Sequence, residues 1–305
     1  MHKVNALALC LLVLSLPGLY STVAIAEDIV VDEATAEALK GNPFLVEKPR
    51  WEVGVGAAAL SLEAYPASSV TTERAFALPF FLYRGSRIRL QQGNLSAIAV
   101  ENRRFKLDVS VGAALNVDSD DVPIRAGLPD LDFLFQVGPK LELRLWDKVS
   151  TSVRRRQKLT LDTSFRAALS TDLSSIQSQG YLLNTQLSYE YDGFLTPKTT
   201  LRINGGPVWA TDKLGDFIYG VDEQFALPNR PAFEGRSGYL ATNAIIGLQH
   251  KFTERFQVFA ALGLGVHTGA ANRDSALFEN NVTTGIALGV AWTIKASKNR
   301  VLVLD

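Results

Sequence analysis

The chain has 305 residues, 47% of them hydrophobic, with 31 Lys and Arg against 31 Asp and Glu, three His and one Cys. Balanced charge excludes the one-signed basic footprint of a nucleic-acid binder, and a single cysteine excludes a disulfide framework. Beyond the N-terminus no stretch reaches the roughly 18 consecutive apolar residues of a membrane helix, and no Pro/Ser-rich linker divides the chain, which favours one large domain.

In chain order, the first element is an export signal. Lys3 precedes an apolar run from Ala6 to Leu16, a Pro17-Gly18 break, and Ala24-Ile25-Ala26 ahead of Glu27. This pattern predicts a signal peptide over 1–26 that is removed on export. Cys10 lies inside the apolar run, so the exported chain has no thiol, and thiol catalysis is excluded with it. Residues 27–50 carry Glu27, Asp28, Asp32, Glu33 and Glu37. They are expected to form a periplasmic extension that plugs the lumen, docks a partner or stays disordered.

From Trp51 onward the chain alternates with period two. In "LDFLFQVGPKLELRLW" (131–146) every odd position is apolar or Pro, while the even ones include Asp132, Gln136, Lys140, Glu142 and Arg144. A soluble sheet buries the apolar face and a membrane barrel turns it to lipid, so alternation alone does not choose. Counting such runs predicts about twelve strands, an even number, near 51–60, 73–83, 87–91, 94–100, 105–117, 131–146, 156–169, 180–192, 198–210, 238–252, 255–267 and 281–294. Several reach the ten or so residues that a tilted strand needs to cross a bilayer.

The connections sort by parity. Long ones fall at 61–72, 118–130, 170–179, 211–237 and 268–280; short ones fall at Arg84-Gly85-Ser86, 101–104, 193–197 and Thr253-Glu254. Outer-membrane barrels alternate long outer loops with short periplasmic turns. Two connections depart from this, the short outer turn Gln92-Gly93 and the medium inner one at 147–155. Aromatic residues near the strand ends (Trp51, Tyr83, Phe105, Trp146, Tyr191, Trp209, Tyr239, Phe252, Phe256, Trp292) suit the interfacial girdles of such a barrel.

The decisive argument is electrostatic. Lys106, Asp108, Lys140, Glu142, Arg144, Asp162, Arg166, Glu190 and Arg202 share the polar parity. Facing lipid, charges would cost about 2–4 kcal/mol each at mid-depth for the basic residues. They are therefore expected in the lumen, and the fold class is an all-β, transmembrane antiparallel up-and-down barrel over 51–294. Residues 295–305, "IKASKNRVLVLD" without its first Ile, form a tail beyond the last strand, whereas such barrels commonly end on an aromatic.

Candidate chemistry is sparse. His250 sits on the apolar parity near a periplasmic strand end, and His267 lies beside a loop holding Ser275. No Gly-x-Ser-x-Gly elbow or His-x-x-x-His pair supports catalysis, so no catalytic residue, cofactor or metal site is assigned. Asp118, Asp120, Asp121 and Asp130 make an acidic outer loop without the Gly and closing Glu of an EF-hand. Arg154, Arg155 and Arg156 form a basic cluster at a periplasmic turn, and are candidates for docking to anionic lipid or to an acidic partner face.

The stretches "LPFFLYRGSRIRL" (78–90), "GLPDLDFLFQVGPKLEL" (127–143), "GGPVWATDKLGDFIYGVDEQFA" (205–226) and "GYLATNAIIGLQHKF" (238–252) together resemble the MipA/OmpV family of outer-membrane proteins, over about Trp51 to Ile294. The resemblance implies a non-enzymatic barrel in the bacterial outer membrane, in contact with outer-membrane lipid and lipopolysaccharide. Its named member, the MltA-interacting protein, implies a scaffold that joins a lytic transglycosylase to a bifunctional penicillin-binding synthase in peptidoglycan assembly. Two other roles remain open at this point: a small-solute channel, and an adhesin or receptor acting through loop 211–237.

Overall fold

A computed structural model describes residues 29–31, 36–37, 40–41, 44–91, 94–102, 104–150, 152, 154–172 and 174–304. The expected signal peptide and Glu27, Asp28, Asp32 and Glu33 lie outside the described residues. The strands are β1 (Ile29–Val30), β2 (Leu45–Pro49), β3 (Trp51–Glu63), β4 (Thr71–Arg84), β5 (Ile88–Gln91), β6 (Asn94–Glu101), β7 (Phe105–Ala114), β8 (Phe133–Ser150), β9 (Arg155–Thr171), β10 (Ile176–Asp192), β11 (Thr199–Ala210), β12 (Gly238–Lys251), β13 (Phe256–Val266), β14 (Val282–Ala296) and β15 (Arg300–Leu304).

β3 to β14 pair antiparallel with their chain neighbours, and β14 pairs back onto β3 from Ile286↔Ser61 to Ala296↔Glu52, closing a cylinder of twelve strands. Closure removes the free edges of an open sheet and satisfies the ladder groups in lipid. The twelve expected strands are all present. No described helix is long and apolar enough to cross a membrane.

Alternation is resolved in the direction the charges demanded. Along β8, Val137, Leu141, Leu143 and Leu145 face outward and are exposed, while Leu134 and Gln136 are buried. A bulge between Arg144 and Trp146 then shifts the parity, turning Trp146 outward and bringing Asp147 toward the inside. An outer band of Leu262, Ile286, Leu288, Trp292 and Ile294 is exposed in the same way. Rings meet near the rims, with Trp146 against Tyr189 and Phe252 against Phe256.

Three boundaries differ from the sequence reading. β8 and β9 run on to Ser150 and from Arg155, so the supposed medium-length inner connection 147–155 is a short turn between long strands. The expected outer loop 170–179 is also short, because β9 reaches Thr171 and β10 starts at Ile176; Asp172 Oδ1 accepts from the amides of Ser174 and Ser175 and stabilises the bend. The strand expected to end at 117 stops at Ala114, leaving Val117 in an isolated bridge to Leu131. Each change follows from local hydrogen bonding that period two does not encode.

The tail beyond the barrel is structured. β15 pairs with β2 from Arg300↔Pro49 to Leu304↔Leu45, and β1 adds to its other side. Both terminal segments thus form a small sheet at the end of the barrel that carries the short turns, the periplasmic end. Val303 is fully buried there.

Candidate functional site

The lumen has two unlike walls. From β5 to β11 the inward residues are polar, and most of the charged ones among them are paired. Arg89 holds the Glu101 carboxylate with two guanidinium nitrogens (3.3 and 2.6 Å), and Arg144 adds to the same carboxylate at 3.1 Å. Arg144 also donates to Glu142 (3.3 Å), whose other oxygen lies 4.0 Å from Lys106; Lys106 in turn is 3.2 Å from Asp108. Lys140 lies 3.9 Å from Asp162, which also accepts from Ser188. Lys158 and Arg202 share Glu190 at 3.6 and 2.9 Å, and Arg202 reaches on to Gln249. Arg166 donates to the Ser110 hydroxyl at 3.0 Å.

All nine lumen charges assigned from the sequence therefore lie on this wall, most of them in contact with one another. Paired this way, most of these charges keep a partner at buried positions where a lone one would be costly. Arg89, Glu101 and Lys158 belong to the same network, and Arg84 with Glu52 makes a further pair on β4 and β3 near the periplasmic rim; none was assigned to the lumen from the sequence, though strand parity would have placed Glu52, Arg84 and Lys158 inside. Arg84 donates to Glu52 at 2.7 Å and to the carbonyl of Pro49, tying the barrel to β2.

The other wall, on β13, β14, β3 and β4, carries glycine, alanine and large apolar side chains. A Cβ at Gly289 would fall 2.1 Å from the Phe259 ring, and one at Gly54 would fall 2.5 Å from the Phe80 ring, so these glycines make room for aromatic side chains inside the barrel. Higher up, Phe76 packs on Leu60, Leu62, Ile245, Ala261 and Ala287.

The two mouths differ as well. The outer one is filled by its loops. A helix at Asp212–Tyr219, unforeseen in loop 211–237, buries Leu214, Gly215, Ile218 and Tyr219, the one-face spacing of an amphipathic turn. Leu214, Ile218 and Tyr219 join Tyr65, Val117, Val122, Leu128, Leu240 and Leu277 in one apolar core. Buried arginines knit the loops together through carbonyl groups: Arg125 donates to Ile218 O (2.9 Å) and Pro129 O (3.1 Å), and Arg230 to Ile124 O and Ala126 O. Tyr219 donates to Pro66 O and Tyr65 to Leu277 O. Burial pulls the Arg125 guanidinium down to about 10 and pushes the Tyr65 phenol up. No sequence period announces these loop contacts.

The candidate chemistry is accounted for by structure. His267 is fully buried, with Nε2 2.9 Å from Thr283 Oγ1 and 3.9 Å from Glu63 Oε1, and burial lowers its pKa to about 4. The Ser275 hydroxyl donates to Tyr219 O. His250 Nδ1 lies 2.8 Å from Thr199 Oγ1, and its ring meets Phe252 edge-on. In the acidic loop Asp118 accepts from the Asp120 amide and Asp130 from the Ser119 amide. No His/Cys/Asp/Glu group that would hold a metal is found among the described residues.

The docking cluster needs one correction. Arg154 and Arg155 are exposed at the turn, but Arg156 is 2% exposed and donates to both oxygens of Asp147 (3.0 and 2.7 Å). Arg156 lies within β9 on the inward parity of Lys158, and the β8 bulge turns Asp147 in to meet it, so it is a wall residue and offers nothing to a partner.

At the periplasmic mouth a cavity of about 490 Å³ opens between the barrel rim and the small sheet, with Glu47, Lys48, Glu52, Arg84, Arg202 and Arg300 among its lining. It is the largest space described, and its walls carry both signs of charge.

A closed twelve-stranded cylinder with an apolar outer band, a salt-bridged inner wall and short turns at one end is an outer-membrane β-barrel. Residues 55–294 match the family described as MltA-interacting protein MipA, and the chain belongs to that family. Similar solved structures are the NanC porin (8% identity, 78% of this chain and 98% of that one, TM-score 0.38), outer membrane phospholipase A from Escherichia coli (11%, 82% and 93%, 0.33) and an outer membrane channel from Pseudomonas putida F1 (12%, 83% and 98%, 0.32). No curated protein matches the chain.

Proposed function

We propose that this barrel is a non-enzymatic scaffold of the outer membrane, which holds a lytic transglycosylase and a bifunctional murein synthase together at its periplasmic face. One observation carries the reading: the outer mouth is filled by interlocked loops with an apolar core, while the periplasmic mouth offers a mixed-charge cavity and a sheet built from both terminal segments. A molecule organised like this offers a concave, mixed-charge surface on the murein side, where the outer mouth is closed over. The family description, MltA-interacting protein, agrees in naming an interaction. The burial of His267 and the engagement of Ser275 support the absence of catalysis.

The test is a crosslinked pull-down of the tagged full chain from envelopes, beside Val303→Asp, which breaks the small sheet, and Arg154→Ala/Arg155→Ala. Recovery of both enzymes with the native chain and their loss with Val303→Asp is the expected result. The salt-bridged wall keeps a channel reading in play, and planar-bilayer conductance separates the two. Steady unitary steps from the native barrel would replace the scaffold with a channel.

A further inference from the structure

The outer face of β8 to β10 changes character at the periplasmic rim. Nearer the bilayer centre it carries Leu143, Leu145 and Leu187, all exposed. Toward the short turns the register sets two rows across the three strands, Trp146↔Leu159↔Tyr189 and then Lys148↔Gln157↔Tyr191, and a third begins with Ser150↔Arg155. The bulge at Arg144/Trp146 is what brings Lys148 outside. Without it, Lys148 would share the inward parity of Lys140 and Arg144.

Aromatic rings run through these rows as one strip. Trp146 lies 6.0 Å from Tyr189, Tyr189 6.5 Å from Tyr191, and Tyr191 5.7 Å from Phe194, centroid to centroid. Such rings settle at the headgroup level of a bilayer, with the apolar body toward the chains and the polar edge toward water. The Lys148 ammonium stands 5.2 Å from the centre of the Trp146 ring, within cation–π reach, and is held at that level. Arg155 is fixed from the other side. A Cβ at Gly193, whose φ is 79°, would fall 2.5 Å from Arg154 O and 3.1 Å from Arg155 Cγ, so the turn after β10 lies against the start of β9.

Charge is sorted by face on this part of the barrel. The acids at this height turn inward: Asp147 meets Arg156, Glu190 meets Arg202 and Lys158, and Asp192 accepts from the Thr200 hydroxyl. Lys148 and Arg155 are exposed on the outside, which leaves that face with one sign of charge. Gln157, opposite Lys148 and two residues from Arg155 on the same face, is a neutral donor between them. An acidic protein face would account for the cations and not for the rings beside them. A phospholipid presents both parts in the same order, chains beside Leu145 and Leu187 and phosphate beside Lys148 and Arg155.

We propose that Lys148, Arg155, Gln157 and Tyr191 form a site on the outside of the barrel for the phosphate of an anionic phospholipid of the inner leaflet, whose chains lie along Trp146, Leu145 and Leu187. The two cations and two neutral donors suit phosphate oxygens, and the one-signed face favours a lipid with net negative charge over a zwitterionic one. The site lies outside the closed wall, so the strand ladder stays intact. It is independent of which protein the periplasmic face holds.

The experiment uses the full chain in phosphatidylcholine vesicles with a minor share of phosphatidylglycerol, and reads tryptophan quenching by acyl-brominated lipid. Of the four tryptophans one is kept and the others become Phe. Trp146 alone reports the site; Trp209 alone, exposed near the outer end of β11, reports the background. The expected result is brominated phosphatidylglycerol enriched at Trp146 about fivefold over brominated phosphatidylcholine at equal share, the factor one cation supplies beside anionic headgroups, with none at Trp209. Lys148→Gln/Arg155→Gln should abolish the enrichment, and Lys213→Gln/Arg236→Gln, which removes two exposed cations from the outer loops, should keep it. Equal quenching of Trp146 by both lipids overturns the site, as does an enrichment that survives the first pair or is lost with the second. Trp146 quenched by neither lipid shows the strip covered by protein, a second copy included, and overturns it too. Native mass spectrometry of the unaltered chain, with phosphatidylglycerol retained over phosphatidylcholine and released by Lys148→Gln/Arg155→Gln, makes the same test without the Phe substitutions.

Discussion

The two walls of the lumen solve the same problem by opposite means. From β5 to β11 the space is filled by polar and long charged side chains, the latter held in pairs such as Arg202 with Glu190 and Arg89 with Glu101. On β13, β14, β3 and β4 it is filled by aromatic rings lying over glycines, Phe259 on Gly289 and Phe80 on Gly54. The first wall is held by electrostatics at buried positions, and loses most when one partner is removed. The second is held by shape, and loses most when volume is added.

The largest expected effect comes from the charged wall. Arg202→Met leaves the buried Glu190 with Lys158 at 3.6 Å and the more distant Arg156, and should cost up to about 3–5 kcal/mol in reversible urea unfolding of the reconstituted barrel. A loss near zero would mean that water already screens that wall. Next is Arg125→Met in the outer mouth, where at least two buried carbonyls lose their donor, at about 1–3 kcal/mol each. It should also expose the Asp212–Tyr219 segment to proteolysis and, on the scaffold reading, add intermittent conductance steps that the native barrel lacks.

His267 carries a pH effect. Its folded value, about 4, lies below the unfolded one, so burial of the neutral ring costs nothing above about 6.5, and stability falls as pH drops from there through about 4. The loss should level off at no more than about 3 kcal/mol. Unfolding midpoints measured across that range should flatten in His267→Gln, and an unchanged slope would assign the effect to other groups. The smallest effect is expected on the other wall: Gly289→Val drives two methyl groups toward Phe259, an overpacking of about 1–3 kcal/mol. If it is better tolerated than Gly289→Ala, the ring is free to move and that wall is looser than its geometry suggests.

Much of the barrel was legible because period two and the cost of charge in lipid act residue by residue. The alternation of 131–146 and the parity of Lys106, Asp108 and Glu190 say which face is which, whatever the neighbours are. Arg156 went astray because β9 begins at Arg155 and not in a turn at that height, so Arg156 shares the inward parity of Lys158, while the bulge at Arg144/Trp146 that brings Asp147 round to meet it leaves no mark in a hydropathy pattern. Loop 211–237 was read only as a long outer loop, a candidate for surface binding, although Leu214, Ile218 and Tyr219 have helical spacing within it.

The sequence by itself determined that the chain is exported, that it crosses the membrane as strands and that its charges turn inward, since each of these follows from local composition and from the solvent a side chain can bear. Tertiary structure alone decided that the outer mouth is filled and that the two terminal segments meet in one sheet. Those features depend on contacts between residues far apart in the chain, Arg125 with Ile218, Leu45 with Leu304 and Tyr65 with Leu277, and no local pattern specifies which distant carbonyl or strand edge a group will find.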